Sequence, residues 1–312
     1  MQTLWTQKYK PEKIDDIIGQ EHVKKIFRNA LNKNHIEHLL LYGSNSTGKT
    51  SSIHAFCKEY YGKYYKDCVL DLNASDDRGI NIIRNNIKQF ANTKSLLHNK
   101  VVKMIILDEV DNMTIDAQYA LRRIIELYTS NVRFCLICNY LHKIHSAIYS
   151  RCVILKFKML TYEDINNKLT LLNIFNIDEE KKKIIYELSN KDLRKIYTFL
   201  QIYYSNEITI DNIYQYFYNI CYFDYKKLEN LFIDKNLDYF EIENLLSNDL
   251  SLNLIHLINL LFIISEKKKQ YFFIKHLSDI EYKFIDAKQM YYHLFIKELS
   301  MLIKLNQSNI QN

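Results

Sequence analysis

Proline occurs once and glycine five times in 312 residues, which leaves the chain few helix breakers and no loose linkers. Collagen-like, Gly-rich and Pro-rich architectures are thereby excluded. No run of eighteen apolar residues occurs. The best stretch, Leu254 to Ser265, is short and interrupted by His256 and Asn259, so it reads as a core helix and no membrane partner is expected. The start, Met1-Gln2-Thr3-Leu4-Trp5, has no signal-peptide pattern, and the expectation is a protein kept inside the cell or organelle that makes it. Six cysteines, at positions 57, 68, 135, 138, 152 and 221, show no framework spacing. Cys135 and Cys138 form C-x-x-C, but within an apolar run that reads as a strand, where residues three apart face opposite sides. Zinc and a redox pair are therefore not expected, and the thiols read as core filling in a reducing compartment. A net charge of +6 permits a polyanionic partner without requiring one.

What is present is a hydrophobic content of 48%, with 25 tyrosines and 16 phenylalanines, enough to bury a large core in two or three domains. Over residues 1–155 short apolar runs alternate with amphipathic helical patterns. Strands are expected at 38–42, 68–73, 101–107, 132–138 and 152–157, the pattern of a doubly wound α/β domain with a parallel sheet. After about residue 160 the strand-like runs stop. Thr161, followed by Glu163 and Asp164, opens a set of short helices reaching Tyr218. Leu245 to Ile264 and Tyr271 to Leu305 then read as a helical bundle. The expected division is 1–158 for the α/β domain, 159–222 for a small helical lid and 223–312 for a C-terminal helical domain.

Two of the five glycines lie in Gly43-Ser44-Asn45-Ser46-Thr47-Gly48-Lys49-Thr50, directly after Leu39-Leu40-Leu41-Tyr42 and before a helix-compatible stretch starting at Ser51. The spacing G-x-x-x-x-G-K-T between strand and helix lets backbone N–H groups wrap phosphates. It sets Lys49 against the β and γ oxygens and offers the Thr50 hydroxyl to magnesium. Downstream, Val101 to Leu107 ends in Asp108-Glu109-Val110-Asp111, carboxylates at the C-terminal end of a buried strand. Asp108 with Thr50 would hold Mg²⁺, since a hard dication takes oxygen ligands. Glu109 is the candidate base or water-orienting group. Asp111 reads either as structural or as the N-cap of the helix after Met113. Asn139, ending the next strand, either touches the γ-phosphate side or forms a turn. Taken alone, Arg151 before a strand is an ordinary surface arginine.

Several further blocks carry a family likeness. They are Trp5-Thr6-Gln7-Lys8-Tyr9-Lys10-Pro11, Asp16-Ile17-Ile18-Gly19-Gln20, Leu72-Asn73-Ala74-Ser75-Asp76-Asp77-Arg78-Gly79-Ile80, Asp116-Ala117-Gln118-Tyr119-Ala120-Leu121-Arg122-Arg123 and Ser150-Arg151-Cys152. Over about residues 4–200 the chain resembles the small subunits of the replication factor C clamp loader, a AAA+ ATPase family.

The resemblance implies a P-loop AAA+ domain, a lid and a helical collar, with ATP and Mg²⁺ as cofactors. It implies one place in a hetero-pentamer that loads a sliding clamp onto primer-template DNA, holding the DNA backbone, in the nucleus or in a viral or organellar replication compartment. Thr6, Lys10 and Ile18 would enclose the adenine side, and Asn139 would be the first nucleotide sensor. Arg194, in Asp192-Leu193-Arg194, would be the second. Arg151 would act in trans as an arginine finger on a neighbour's γ-phosphate, and Arg84, Lys88 and Lys143 would track one DNA strand. The rival readings are an ATP-binding scaffold with little turnover and a homo-oligomeric DNA-remodelling motor. Ser44, Asn45 and Ser46 replace the family's two prolines and middle glycine, so Ser46 is expected in a backbone conformation that suits glycine. Lys191 stands where the lid usually has glycine, and Lys10 replaces an arginine.

Overall fold

The computed structural model describes residues 3–74, 80–92, 102–171, 177–204, 207–218 and 222–231, with short helical pieces at 261–262, 264–265, 273–279 and 297–303. The chain forms two compact units, Met1–Ser205 and Asn206–Asn312.

The first unit is built on five parallel strands, β1 (Leu39–Tyr42), β2 (Val69–Asn73), β3 (Lys103–Asp108), β4 (Val132–Cys138) and β5 (Val153–Lys156), ordered β2-β3-β4-β1-β5. These lie close to the expected runs, and the fold is the doubly wound α/β class. Both faces of the sheet are covered, so the strands are apolar on both sides. Leu39, Leu41, Met104, Ile106, Cys135 and Ile137 face one core, with Val23, Phe27, Ile53 and Phe56 from the helices. Leu40, Ile105, Leu107, Phe134, Leu136 and Cys138 face the other, with Ile87, Leu121 and Ile125. Cys135 and Cys138 thus sit in different cores, as their spacing in a strand requires. Burial pushes the Cys138 thiol up to about 12, which keeps it protonated and inert.

The helices of this unit are α1 (Trp5–Lys8), α2 (Glu21–Lys33), α3 (Lys49–Tyr61), α4 (Tyr65–Cys68), α5 (Ile80–Asn92), α6 (Ile115–Tyr128), α7 (Ser146–Tyr149), α8 (Tyr162–Leu171), α9 (Glu179–Leu188) and α10 (Leu193–Ile202). Local chemistry sets several of their starts. Thr161 Oγ1 accepts from the Asp164 N–H at 3.2 Å while Asp164 Oδ2 accepts from the Thr161 N–H at 3.0 Å, a reciprocal cap that starts α8. Asp192 Oδ1 accepts from the N–H groups of Arg194 (2.8 Å) and Lys195 (3.3 Å) and starts α10. Thr114 caps α6 by accepting from the Ala117 N–H at 3.3 Å. The N-cap role weighed for Asp111 therefore belongs to Thr114.

In the second unit α11 (Ile210–Tyr218) and α12 (Tyr222–Leu231) pack through tyrosines, with the rings of Tyr214 and Tyr225 4.7 Å apart. The expected segments Leu245 to Ile264 and Tyr271 to Leu305 lie largely outside the described residues. Their described pieces are helical and bury Leu261, Phe273, Leu277, Leu299 and Ile303. No described helix is long and apolar enough to cross a membrane.

Between α9 and α10 the chain turns through Asn190 (φ 55°) and Lys191 (φ 63°). Asparagine tolerates this region, whereas lysine carries a Cβ clash of about 1–2 kcal/mol. Glycine would remove the clash and give back part of the gain through its unfolded-state freedom. Lys191→Gly is expected to raise stability by about 0.5–1 kcal/mol, seen as a melting temperature higher by about 1–2 °C. An unchanged or lower melting temperature would show that the turn is unstrained.

Candidate nucleotide site

The parallel order brings the C-terminal ends of β1, β3 and β4 to one edge, since Tyr42 pairs with Cys138 and Leu107 with Leu136. The loops leaving these strand ends carry the polar and charged groups of the site. After β1 the chain makes the Gly43–Gly48 loop and enters α3 at Lys49, so the free N–H groups of that helix's first turn face the loop. Gly43 (φ 150°) is enforced by space, because a Cβ there would overlap the carbonyl oxygen of Phe157. Ser46 takes φ 58°, the left-handed conformation expected of it, and its hydroxyl is buried with no partner among the described residues. Asn45 is exposed, and Thr47 Oγ1 donates to the Ser44 carbonyl at 2.8 Å.

Lys49 is buried, yet all three of its ammonium donors are used: on the carbonyl oxygens of Gly43 (2.7 Å) and Ser44 (2.8 Å) and on Asn139 Oδ1 (2.9 Å). Burial lowers its pKa, and the nearby Asp108 carboxylate opposes that shift. Thr50 Oγ1 donates to Asp108 Oδ2 at 2.7 Å, and Asp108 Oδ1 accepts from the Glu109 N–H at 2.9 Å. Glu109 itself has φ 57°, and its carboxylate accepts from Asn112 Nδ2 at 3.1 Å. A non-glycine residue held in that region beside a cleft suggests function, because such strain persists only where the surroundings impose it.

These groups open on a cleft of about 560 Å³ lined by Thr6, Lys10, Ile18, the residues from Ser46 to Ser51, Asp108, Glu109 and Arg194. Asn139 reaches the cleft through Lys49. Arg194 is exposed and makes no ion pair among the described residues. Tyr9, Leu160, Leu193 and Tyr197 also line the cleft and were missed in the sequence. Their signal was only an apolar or aromatic spacing shared with many core positions. Helix α1 is tied to α10 by the Trp5 N–H donating to Gln201 Oε1 at 2.8 Å.

Two positioning residues also escaped. Buried Gln20 donates to the Lys158 carbonyl at 2.6 Å and accepts from the Lys158 N–H at 3.1 Å, anchoring the chain after β5 beside the phosphate loop. Asp111 Oδ2 accepts from the N–H groups of Asn139 (3.1 Å) and Tyr140 (3.2 Å), so it fixes the turn that presents Asn139.

Arg151 does not line the cleft. Its guanidinium pairs with Glu126 at 2.6 Å and donates to the Ala147 carbonyl at 2.7 Å, while Glu126 also pairs with Arg122 at 3.1 Å. Arg84 and Lys88 share α5, four residues apart; Lys88 is exposed, and the Arg84 side chain lies outside the described residues. Lys143 is exposed in the turn after β4, its ammonium 4.9 Å from the Tyr140 ring centroid. The Ser75 to Gly79 block also lies outside the described residues.

The donor set suits a magnesium nucleotide. A threonine hydroxyl and a carboxylate stand together, which is hard-oxygen chemistry, and a buried ammonium and a helix start stand beside them. Sheet order, phosphate loop and strand-end carboxylates together define a P-loop ATPase domain of the AAA class. Residues 39–159 match the family "ATPase family associated with various cellular activities (AAA)". The chain belongs to the replication factor C small-subunit family. It is 41% identical over 236 residues to a replication factor C small subunit from Picrophilus torridus, covering 74% of each chain. It is 44% identical over 211 residues to replication factor C subunit 3 of Saccharomyces cerevisiae, covering 67% of this chain and 61% of that relative. With human replication factor C subunit 5 it shares 45% identity over 201 residues, 63% of this chain and 59% of the relative. Against solved structures, a Thermotoga maritima RuvB mutant superposes with a TM-score of 0.53 at 17% identity, over 84% of this chain and 92% of the other, a likeness of fold.

The buried Asp111 carboxylate is the acceptor for two backbone donors. Removing it strands both. Asp111→Ala is therefore expected to cost about 2–3 kcal/mol in denaturant unfolding and to weaken nucleotide binding through a displaced Asn139. A wild-type unfolding midpoint would show that the turn holds itself.

Proposed function

We propose that this chain is an ATP-binding subunit of a clamp loader, working in a hetero-pentamer that places a sliding clamp on primer-template DNA. The family membership supports this, and one observation carries it. Lys49, Thr50, Asp108, Glu109 and Arg194 share a cleft, whereas Arg151 stands outside it with its guanidinium at the surface. That is the arrangement expected if each molecule binds its own nucleotide and lends an arginine to a neighbour. Magnesium, held by Thr50 and Asp108, would neutralise charge on the phosphates. Lys49 would exchange its carbonyl partners for phosphate oxygens, Glu109 would orient the attacking water, and Asn139 and Arg194 would register the γ-phosphate. The trans Arg151 would stabilise charge spreading over the transferred group.

In this reading the division is 1–158 for the nucleotide domain, 159–222 for the lid and 223–312 for the collar. Arg84, Lys88 and Lys143 would hold one DNA strand by its phosphates, giving affinity without sequence readout and a steep salt dependence. The working compartment would be the nucleus, or a viral or organellar replication site. Ser46 favours one alternative, an ATP-binding scaffold with slow turnover, because its backbone conformation and unpartnered hydroxyl burden the phosphate loop. Glu109→Gln separates the two: a scaffold keeps its full clamp-loading rate.

Lys49→Ala is expected to abolish nucleotide occupancy of this subunit, measured by equilibrium binding. Arg151→Ala is expected to leave its own occupancy intact and to lower ATPase turnover of the assembly by about 10³-fold at the neighbouring site. Loss of its own nucleotide on Arg151→Ala would refute the trans role.

A further inference from the structure

We propose that Tyr197 reads the nucleobase, its hydroxyl hydrogen-bonding a polar atom on the edge of adenine. The inference rests on the adenine-nucleotide reading of the cleft. Tyr197 lies on α10, one turn after Arg194, so the two share a helix face, and both line the cleft. The residue is only 4% exposed, yet its hydroxyl has no hydrogen-bond partner among the described residues. Buried hydroxyls are ordinarily paired, and an orphan in a ligand cleft marks a place where the ligand supplies the partner.

Its surroundings fit a flat heteroaromatic ring. The Tyr9 ring lies 5.6 Å away at a tilt of 41°, and Ile18, Leu160 and Leu193 line the same cleft. Such a slot takes a base between aromatic and aliphatic faces, and the phosphates belong with the charged groups of the loop. Burial raises the pKa of the phenol, so it keeps its proton. A protonated hydroxyl can donate to a ring nitrogen and accept from an exocyclic amine.

The test compares the full chain and Tyr197→Phe by titration calorimetry with two ligands, ATP and inorganic tripolyphosphate. Phenylalanine keeps the ring and removes only the hydroxyl. Expected is a loss of about 2- to 10-fold in ATP affinity, the size of one neutral hydrogen bond, with tripolyphosphate affinity unchanged. Without nucleotide the variant should melt at or above the wild-type temperature, because an unpaired buried group has been removed. Equal ATP affinity in the two proteins would overturn the base contact, as would a parallel loss for both ligands, which marks a purely structural tyrosine. Failure of the wild-type chain itself to bind ATP would instead refute the nucleotide reading, and this inference with it.

Discussion

A buried ammonium and the hydroxyl beside it join the ends of three neighbouring strands. Lys49 reaches the carbonyls after β1 and the Asn139 side chain after β4, and its neighbour Thr50 binds the carboxylate that ends β3. The contacts to Asn139 and to Asp108 depend on this strand order. The parallel register sets Tyr42 beside Cys138 and Leu107 beside Leu136, so residues far apart in sequence arrive at one edge together. The ammonium cannot stay buried without acceptors, since an unpaired buried charge is far costlier than any single hydrogen bond. The loop's own carbonyls meet that need. Phosphate oxygens offer the same ammonium a charged partner, and so the loop holds its shape while remaining ready to exchange partners.

Four non-glycine positions with positive φ lie around this edge. Ser46 and Glu109 line the cleft, Gln20 reaches the Thr47 carbonyl of its loop, and Lys191 lies just before the helix that carries Arg194 and Tyr197. Each non-glycine residue in this region is disfavoured by about 1–2 kcal/mol. The sheet can bear that load, because each fully buried Leu or Ile contributes about 1.5–3 kcal/mol and the central strands are almost wholly buried. Strain of this size would dissolve a free loop. At Ser46 and Glu109 it is held between β1 and α3 and between β3 and the turn before α6, elements packed on the sheet.

Much of this was legible in the sequence. Strands covered on both faces read as continuous apolar runs, and the phosphate loop and Asp108-Glu109 announce themselves by spacing. The departure at Ser46 was also readable, because its conformation follows from the position that glycine usually fills. Gln20, Asp111 and Glu126 were not legible as partners. Each acts on a residue distant in sequence or on another helix, and a single Gln, Asp or Glu carries no mark of what it touches. Asp111 shows why: its spacing suits a helix cap equally well, and only the return of β4 beside it decides between the two roles. Tyr197 was hidden for a different reason. At helical spacing with Ile196, Phe199 and Leu200 it looks like core, and the orphaned hydroxyl becomes visible only once the packing is known.

In the proposed trans role, Arg151 would serve a neighbour without disturbing its own molecule. An unpaired guanidinium at a subunit edge would attract any anion, and its flexible stem would be costly to order at the moment of need. Glu126 and the Ala147 carbonyl hold it in one place instead. Because this pair sits at the surface, water screens it, and its hold is weak. A phosphate carrying more charge, in an interface from which water is excluded, interacts much more strongly with the same planar fork. The exchange of carboxylate for phosphate would therefore run downhill once a neighbour docked, and Glu126 would stay paired with Arg122 on release. In the proposed assembly that second partner matters most, since it spares the helix an abandoned carboxylate and lets the arginine move without a compensating rearrangement.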